Sequence, residues 1–254
     1  MMENEWRDEC SRLLETAPGG SKEQEKLNLL IPRSRCPDCG HKITALENIP
    51  VLSYIFLGGK CSECRKPISV RYPVIEILSG IFAVFLGVHL GLTTQLLPAI
   101  LFSWALLTLS VIDIDHQLLP DDITIPFLWV GIILNMFGIF TDLQSSVTGA
   151  ITGYGILWLV YMLFKIVTGK EGMGYGDFKL LAMLGAWLGW QQIPLIIILS
   201  SICGAVVGIS LIIFHKHDKA KPIPFGPYLA MAGWISMLWG HELTGFYSQW
   251  AFNP

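Results

Sequence analysis

The chain has 254 residues, of which 52% are apolar and only 15% charged, with a mean hydropathy of +0.54. That balance excludes an ordinary soluble globule and implies a multi-spanning membrane protein. The net charge of −3 comes with no long basic run, which leaves no ground for nucleic-acid binding.

Residues 1–30 read as a polar, soluble arm in which Trp6, Leu13 and Leu14 offer at most a modest apolar stripe. The arm has no continuous apolar core of the kind a cleavable signal sequence needs. Residues 31–72 are turn-rich and contain two Cys-x-x-Cys pairs, Cys36 with Cys39 and Cys61 with Cys64, with twenty-one residues between them. Four thiolates at this spacing can close a tetrahedral shell around Zn²⁺, each pair forming a knuckle, and Gly40 suits the turn after the first. A redox dithiol usually needs one reactive pair, not two matched ones. A disulfide pair would demand an oxidising compartment. Four sulfur ligands leave no open position, so the expected metal is structural. Cys10 and Cys203 have no partner spacing.

From residue 73 onward seven apolar segments follow, at 73–92, 96–112, 123–140, 146–166, 178–191, 194–214 and 225–240. Several approach the ~20 residues that span a bilayer, while 178–191 and 225–240 are short. Gly149, Gly153, Gly204 and Gly208 fall at helical spacing; they either permit close helix contact or simply reflect the frequency of glycine in membrane helices. Eleven of the 17 Lys and Arg residues lie in residues 1–72. With that part placed in the cytoplasm, alternate threading puts every remaining Lys at or near the inner face and none in the outer loops, in accord with the positive-inside rule. The expected fold is an all-α polytopic membrane helix bundle of about seven helices. Its divisions are a polar arm (1–30), a small cytoplasmic four-cysteine zinc domain (31–72) and a transmembrane domain (73–254).

Two carboxylates stand at the edges of apolar runs, where desolvation is costly: Asp113, and Asp177 in Gly172-Met-Gly174-Tyr-Gly176-Asp177-Phe-Lys179. The same threading places both on the cytoplasmic side. Two carboxyls brought face to face share a proton, so one can activate water while the other polarises a scissile carbonyl. Gly174 and Gly176 would leave room for an extended peptide. Read singly, each Asp has an ordinary alternative: Asp177 as a helix cap, Asp113 as a solvated interfacial group. Asp115, Asp121 and Asp122 fit capping or solvation better, and His116 is either a tuning group or a solvated interfacial side chain. A proton-coupled transporter, or a membrane scaffold with a zinc-binding head, is the alternative class, although relay carboxylates are expected near the bilayer midplane.

Several motifs occur in order: Cys36-Pro-Asp-Cys39-Gly-His41, Glu47-Asn48-Ile49-Pro50, the second cysteine pair, and Arg71-Tyr72-Pro73 with Glu76. Ile112-Asp113-Ile-Asp115-His116-Gln-Leu-Leu-Pro120-Asp121, the glycine-rich segment ending at Asp177, and Pro222-Ile-Pro-Phe-Gly-Pro-Tyr228 complete the series. Together they closely resemble bacterial type IV prepilin peptidases, membrane aspartic proteases of the Gly-x-Gly-Asp type. The resemblance implies a multi-pass enzyme of the inner membrane that cuts the leader from prepilins and pseudopilins after a glycine at the cytoplasmic face. It implies N-methylation of the new terminus with S-adenosylmethionine, catalytic roles for Asp113 and Asp177, zinc on Cys36, Cys39, Cys61 and Cys64, and membrane lipid as surroundings. Gly58 and Gly59 are weak candidates for the methyl-transfer site. Members of the family usually begin with a further apolar helix, and the chain is expected to lack it.

Overall fold

The structure, a computed structural model, describes residues 35–170, 172–215 and 224–252. The expected polar arm with Cys10, and the lysines at 216, 219 and 221, lie outside the described residues. Among the described residues all regular elements are helical: α1 (Leu52–Phe56), α2 (Arg71–Leu90), α3 (Leu96–His116), α4 (Asp121–Met136), α5 (Leu143–Thr168), α6 (Tyr175–Leu188), α7 (Ile193–His215) and α8 (Gly226–Phe252). The long helices α2 to α8 correspond one to one with the seven apolar segments, which bears out the all-α bundle.

The chain divides into two compact units, one ending at Leu78 and the other starting at Ser79. In the first, isolated bridges Arg35–Lys42 and Lys60–Pro67 close two small turns, and α1 lies between them. Val51, at φ 61°, opens α1 and donates its N–H to the Glu76 carboxyl at 2.8 Å. That bond ties the start of α1 to the second turn of α2.

The second unit is organised around α6. Eleven of the fourteen residues of this helix are buried, so it forms the hub of the bundle. At 1.5 Å per residue it is only about 21 Å long, too short to span alone. Helix α5 lies against α6 through bare glycines: a Cβ on Gly153 would stand 2.6 Å from the Leu181 carbonyl oxygen, and Gly149 meets the backbone of Gly185. The close-contact reading of these two glycines therefore holds, and the approach is the small-residue packing that membrane helices favour. Trp187 of α6 stacks on Phe102 of α3 at 4.3 Å and sits over Gly131 of α4, its indole N–H donating to the Phe127 carbonyl at 2.7 Å.

At the far end of α6 the buried Asn135 satisfies its whole side chain. Its amide N–H groups donate to the carbonyls of Ala186 (2.9 Å) and Trp187 (3.0 Å), and its oxygen accepts from the N–H of Phe140 (3.0 Å) and Thr141 (3.1 Å). Nearby, Gln95 donates to the Ile139 carbonyl and Gln191 to the Ser145 hydroxyl. The short links before α3, α5 and α7 therefore meet at this end.

Four stretches, α2, α3, α5 and Trp190–Ser210, are long and apolar enough to cross a membrane. Their outward faces carry Val84, Val88, Ile151, Ile166 and Ile209, all exposed, as befits helices whose solvent is hydrocarbon.

Candidate functional site

The two cysteine pairs come together. The sulfurs of Cys36, Cys39, Cys61 and Cys64 all lie within 4.8 Å of one another, with Cys36 to Cys64 at 3.8 Å and Cys39 to Cys61 at 3.9 Å. A tetrahedral ion with bonds of ~2.3 Å to sulfur sets its ligands about 3.8 Å apart, whereas a disulfide needs ~2.05 Å. The donor set thus fits a four-coordinate metal.

The two knuckles are built alike. Cys36 N–H bonds the His41 carbonyl and Cys61 N–H the Lys66 carbonyl, both at 2.9 Å; Gly40 N–H returns to Cys36 and Arg65 N–H to Cys61. The turn residues Gly40 and Arg65 are left-handed, at φ 74° and 59°. Ion pairs from Lys66 to Asp38 (2.5 Å) and from His41 to Glu63 (2.8 Å) link one knuckle to the other. Backbone N–H groups lower the Cys36 and Cys61 thiols, while burial and the neighbouring thiols raise Cys39 and Cys64. Hydrogen bonds from Ser62 and Thr44 hold the Glu47 carboxyl at about 2, and Glu47 also contacts His41.

Gly58 and Gly59, at φ 60° and 69°, form the turn that ends α1. A Cβ on Gly59 would stand 2.9 Å from the Tyr54 hydroxyl oxygen, and Gly59 bonds Tyr54 and Ile68 through its backbone. Their geometry is accounted for by that turn.

In the second unit Asp113 occupies the last turn of α3. Gln117, at φ 53°, caps the helix by returning its N–H to the Asp113 carbonyl at 2.8 Å, and Pro120 then sets up α4. Asp177 lies in the first turn of α6, three residues after the cap position, which Gly174 holds. Asp177 therefore does not occupy the cap position that the capping alternative would give it. Both carboxyls are buried, at 5% and 8% exposure, in places where an isolated charge is costly. They lie close enough for Asp177 to feel the charge of Asp113.

Three chain segments meet at this point. Leu119, just past the end of α3, packs against Gly176 of α6 and against Gly226 at the start of α8, and the Gly226 N–H donates to Asp113 Oδ2 at 3.0 Å. Lys179 of α6 pairs with Asp121 of α4 at 2.6 Å. Gly174 faces open space, while the space beside Gly176 is filled by Leu119, so only the first glycine leaves room for another chain. Asp115, His116 and Asp122 are exposed. Sequence reasoning missed the roles of Gly226, Leu119 and Lys179. Their only sequence signal was membership of the motifs at residues 112–121, 172–179 and 222–228.

Residues 100–209 match the model of the type IV leader peptidase family, and residues 11–90 that of the bacterial peptidase A24 N-terminal domain. The chain is 51% identical to a prepilin leader peptidase/N-methyltransferase of Stutzerimonas stutzeri, across 99% of this chain and 86% of that protein. The same identity and coverage hold for the protein of that name from Pseudomonas aeruginosa. For the Legionella pneumophila protein the identity is 42%, over 97% of this chain and 85% of the relative. No solved structure matches the chain. With both family models matched and relatives of this identity aligned along nearly its whole length, the chain belongs to the type IV leader peptidase family.

Proposed function

We propose that this chain is a membrane aspartic endopeptidase that removes the leader from prepilins and then N-methylates the trimmed product, with Asp113 and Asp177 as the catalytic pair. The observation that carries the reading is two buried carboxyls on separate helices, whose segments Leu119 brings together by packing against Gly176 and Gly226, with open space in front of the nearby Gly174. One ionised carboxylate takes a proton from water as the water oxygen attacks the scissile carbonyl. The protonated partner donates to the carbonyl oxygen. The tetrahedral adduct then collapses with a proton delivered to the departing nitrogen, leaving a leader carboxylate and a new amine. That amine is the nucleophile for methyl transfer from S-adenosylmethionine. No residue of this chain, Gly58 and Gly59 included, is assigned to that step.

The finer reading follows the same lines. The cut falls after a glycine, and pseudopilins are substrates beside prepilins. The enzyme sits in the inner membrane, with residues 31–72 and both aspartates on the cytoplasmic side. Support for that sidedness comes from Lys165, Lys170 and Lys179, which flank the link between α5 and α6, at the Asp177 end of the bundle. The divisions at residues 30 and 72 are retained as the functional segmentation. Zinc is the proposed occupant of the four thiolates, where it would stabilise the knuckles and take no part in hydrolysis. The transporter and scaffold alternatives gain no support, since the carboxyl pair lies at helix ends and the relatives are named as peptidases.

The test is to co-express the chain with a candidate prepilin and determine the mature N-terminus by mass spectrometry, which reports cleavage and methylation together. Asp113→Asn and Asp177→Asn are each expected to abolish cleavage while the protein still inserts. Retained cleavage in either variant would sink the catalytic pair.

A further inference from the structure

The start of α8 touches the Asp113 carboxyl. The first backbone donors of a helix lack an ordinary intrahelical acceptor, and those of residues 226–228 can be traced here. Leu229 N–H makes the first regular helical bond, to the Phe225 carbonyl at 3.2 Å; Tyr228 N–H shares that carbonyl at 3.1 Å, and Pro227 has no N–H to place. That leaves the Gly226 N–H, which points at Asp113 Oδ2 from 3.0 Å in a buried setting.

Position 226 is glycine for a reason of space. Its φ lies outside the left-handed region, so the backbone conformation is open to any residue. A Cβ there, however, would stand 2.6 Å from Asp113 Oδ2, 3.2 Å from Asp113 Cγ and 3.3 Å from Leu119 Cδ1. The carboxyl of Asp113 occupies the volume that a side chain at 226 would need. With Oδ2 held by Gly226, the other oxygen of Asp113 remains for water or for the partner carboxyl.

We propose that Gly226 is a positioning residue for leader cleavage: its backbone N–H and its missing side chain together fix the Asp113 carboxyl in its working orientation. The inference rests on the reading of Asp113 and Asp177 as the catalytic pair. It assigns the Pro-Phe-Gly-Pro segment to the peptidase site, which otherwise draws only on α3 and α6.

The test is Gly226→Ala in the full chain, assayed in membranes on two substrates. With intact prepilin, kcat is expected to fall by about 100-fold, the scale of a misplaced catalytic group, while KM stays within twofold. With a pilin supplied already trimmed, methylation is expected to stay at the wild-type rate, because the bundle is intact and only the carboxyl is displaced. Adding Leu119→Ala to Gly226→Ala removes the secondary contact at Leu119 Cδ1 and is expected to leave cleavage low. The proposal is overturned if Gly226→Ala cleaves within threefold of wild type, or if methylation is lost in parallel, which would assign Gly226 to the fold alone. Restoration of cleavage by Leu119→Ala also overturns it, because packing on Leu119 would then be the cause. Asp113→Asn, run alongside, separates this outcome from failure of the catalytic pair itself: cleavage by that variant removes the pair, whereas an inactive Asp113→Asn beside a fully active Gly226→Ala removes only the role of Gly226.

Discussion

Leu119 packs on Gly176 so closely that a Cβ on the glycine would stand 2.9 Å from Leu119 Cβ. The atom in the way is next to the backbone and cannot swing aside, and Pro120 stiffens the chain directly after it. This contact sets the distance between the segment leaving Asp113 and the turn carrying Asp177.

Gly176→Ala is therefore expected to displace either Leu119 or the first turn of α6, moving Asp177 relative to Asp113. Overpacking of this kind costs about 1–3 kcal/mol in stability. The catalytic effect is expected to be larger in relative terms, about 100-fold in the cleavage rate. Leu119→Ala in the same chain keeps the Cβ and so is expected not to restore activity. The measurement is the rate of leader removal by mass spectrometry, beside the melting temperature in detergent. Wild-type cleavage by Gly176→Ala would show that the spacing between the two turns is not critical.

The existence of seven long helices was legible in the sequence because a helix facing hydrocarbon must be apolar along its length. Their ends were less so. The apolar run 178–191 continues past Gly189, yet α6 stops at Leu188 because Gly189 turns at φ 85° into a short 3-10 turn. α4 begins at Asp121, before its apolar run, because Pro120 is extended and starts the helix. Hydropathy also could not separate the hub from the lipid-facing helices: α6 and α7 are both apolar runs, and only packing makes one almost wholly buried. Asp113 and Asp177 stood out through the cost of burying charge. Gly226 did not, because a backbone N–H has no signature in sequence.

Asn135 is a second such case, a polar residue in an apolar run whose four hydrogen bonds join α4, the following loop and the end of α6. Asn135→Leu leaves the N–H groups of Phe140 and Thr141 without their acceptor. At ~1–3 kcal/mol for each orphaned group, and with both only partly buried, a loss at the low end, about 2 kcal/mol, is expected. Because this junction lies at the end of α6 remote from Asp177, residual folded enzyme at low temperature is expected to cleave prepilin at a normal rate per molecule. Thermal unfolding and specific activity, measured on the same preparation, separate the two effects. An unchanged melting temperature would mean the Asn135 bonds are replaceable.

The α5–α6 contact offers a test with an internal control. Gly153→Ala drives a methyl to 2.6 Å from the Leu181 carbonyl oxygen, backbone that cannot yield without parting the helices. Gly155, two residues on in the same helix, has nothing within 4 Å of its would-be Cβ. Gly153→Ala is expected to destabilise the bundle by about 1–3 kcal/mol. Gly155→Ala is expected to be neutral or to stabilise by up to ~1 kcal/mol, since alanine is the better helix former. Equal melting temperatures for the two variants would remove the glycine contact as a determinant of packing.

The matched knuckles yield the last prediction, since Gly40 and Arg65 occupy equivalent left-handed positions in turns that differ in little else. For a residue with a Cβ that conformation costs ~1–2 kcal/mol, which the second knuckle bears and the first avoids. Gly40→Ala meets no steric obstacle within 4 Å, so its whole effect is this backbone cost. It is expected to speed metal loss to a chelator about fivefold, the kinetic equivalent of ~1 kcal/mol. Arg65→Gly removes the same cost from the second knuckle and is expected to slow metal loss or leave it unchanged. Metal content by mass spectrometry is expected to read one zinc per chain at the start, and replacing any of the four cysteines with serine is expected to abolish it. If Gly40→Ala retained metal as well as wild type while Arg65→Gly released it faster, the left-handed turns would not be what limits the stability of the site.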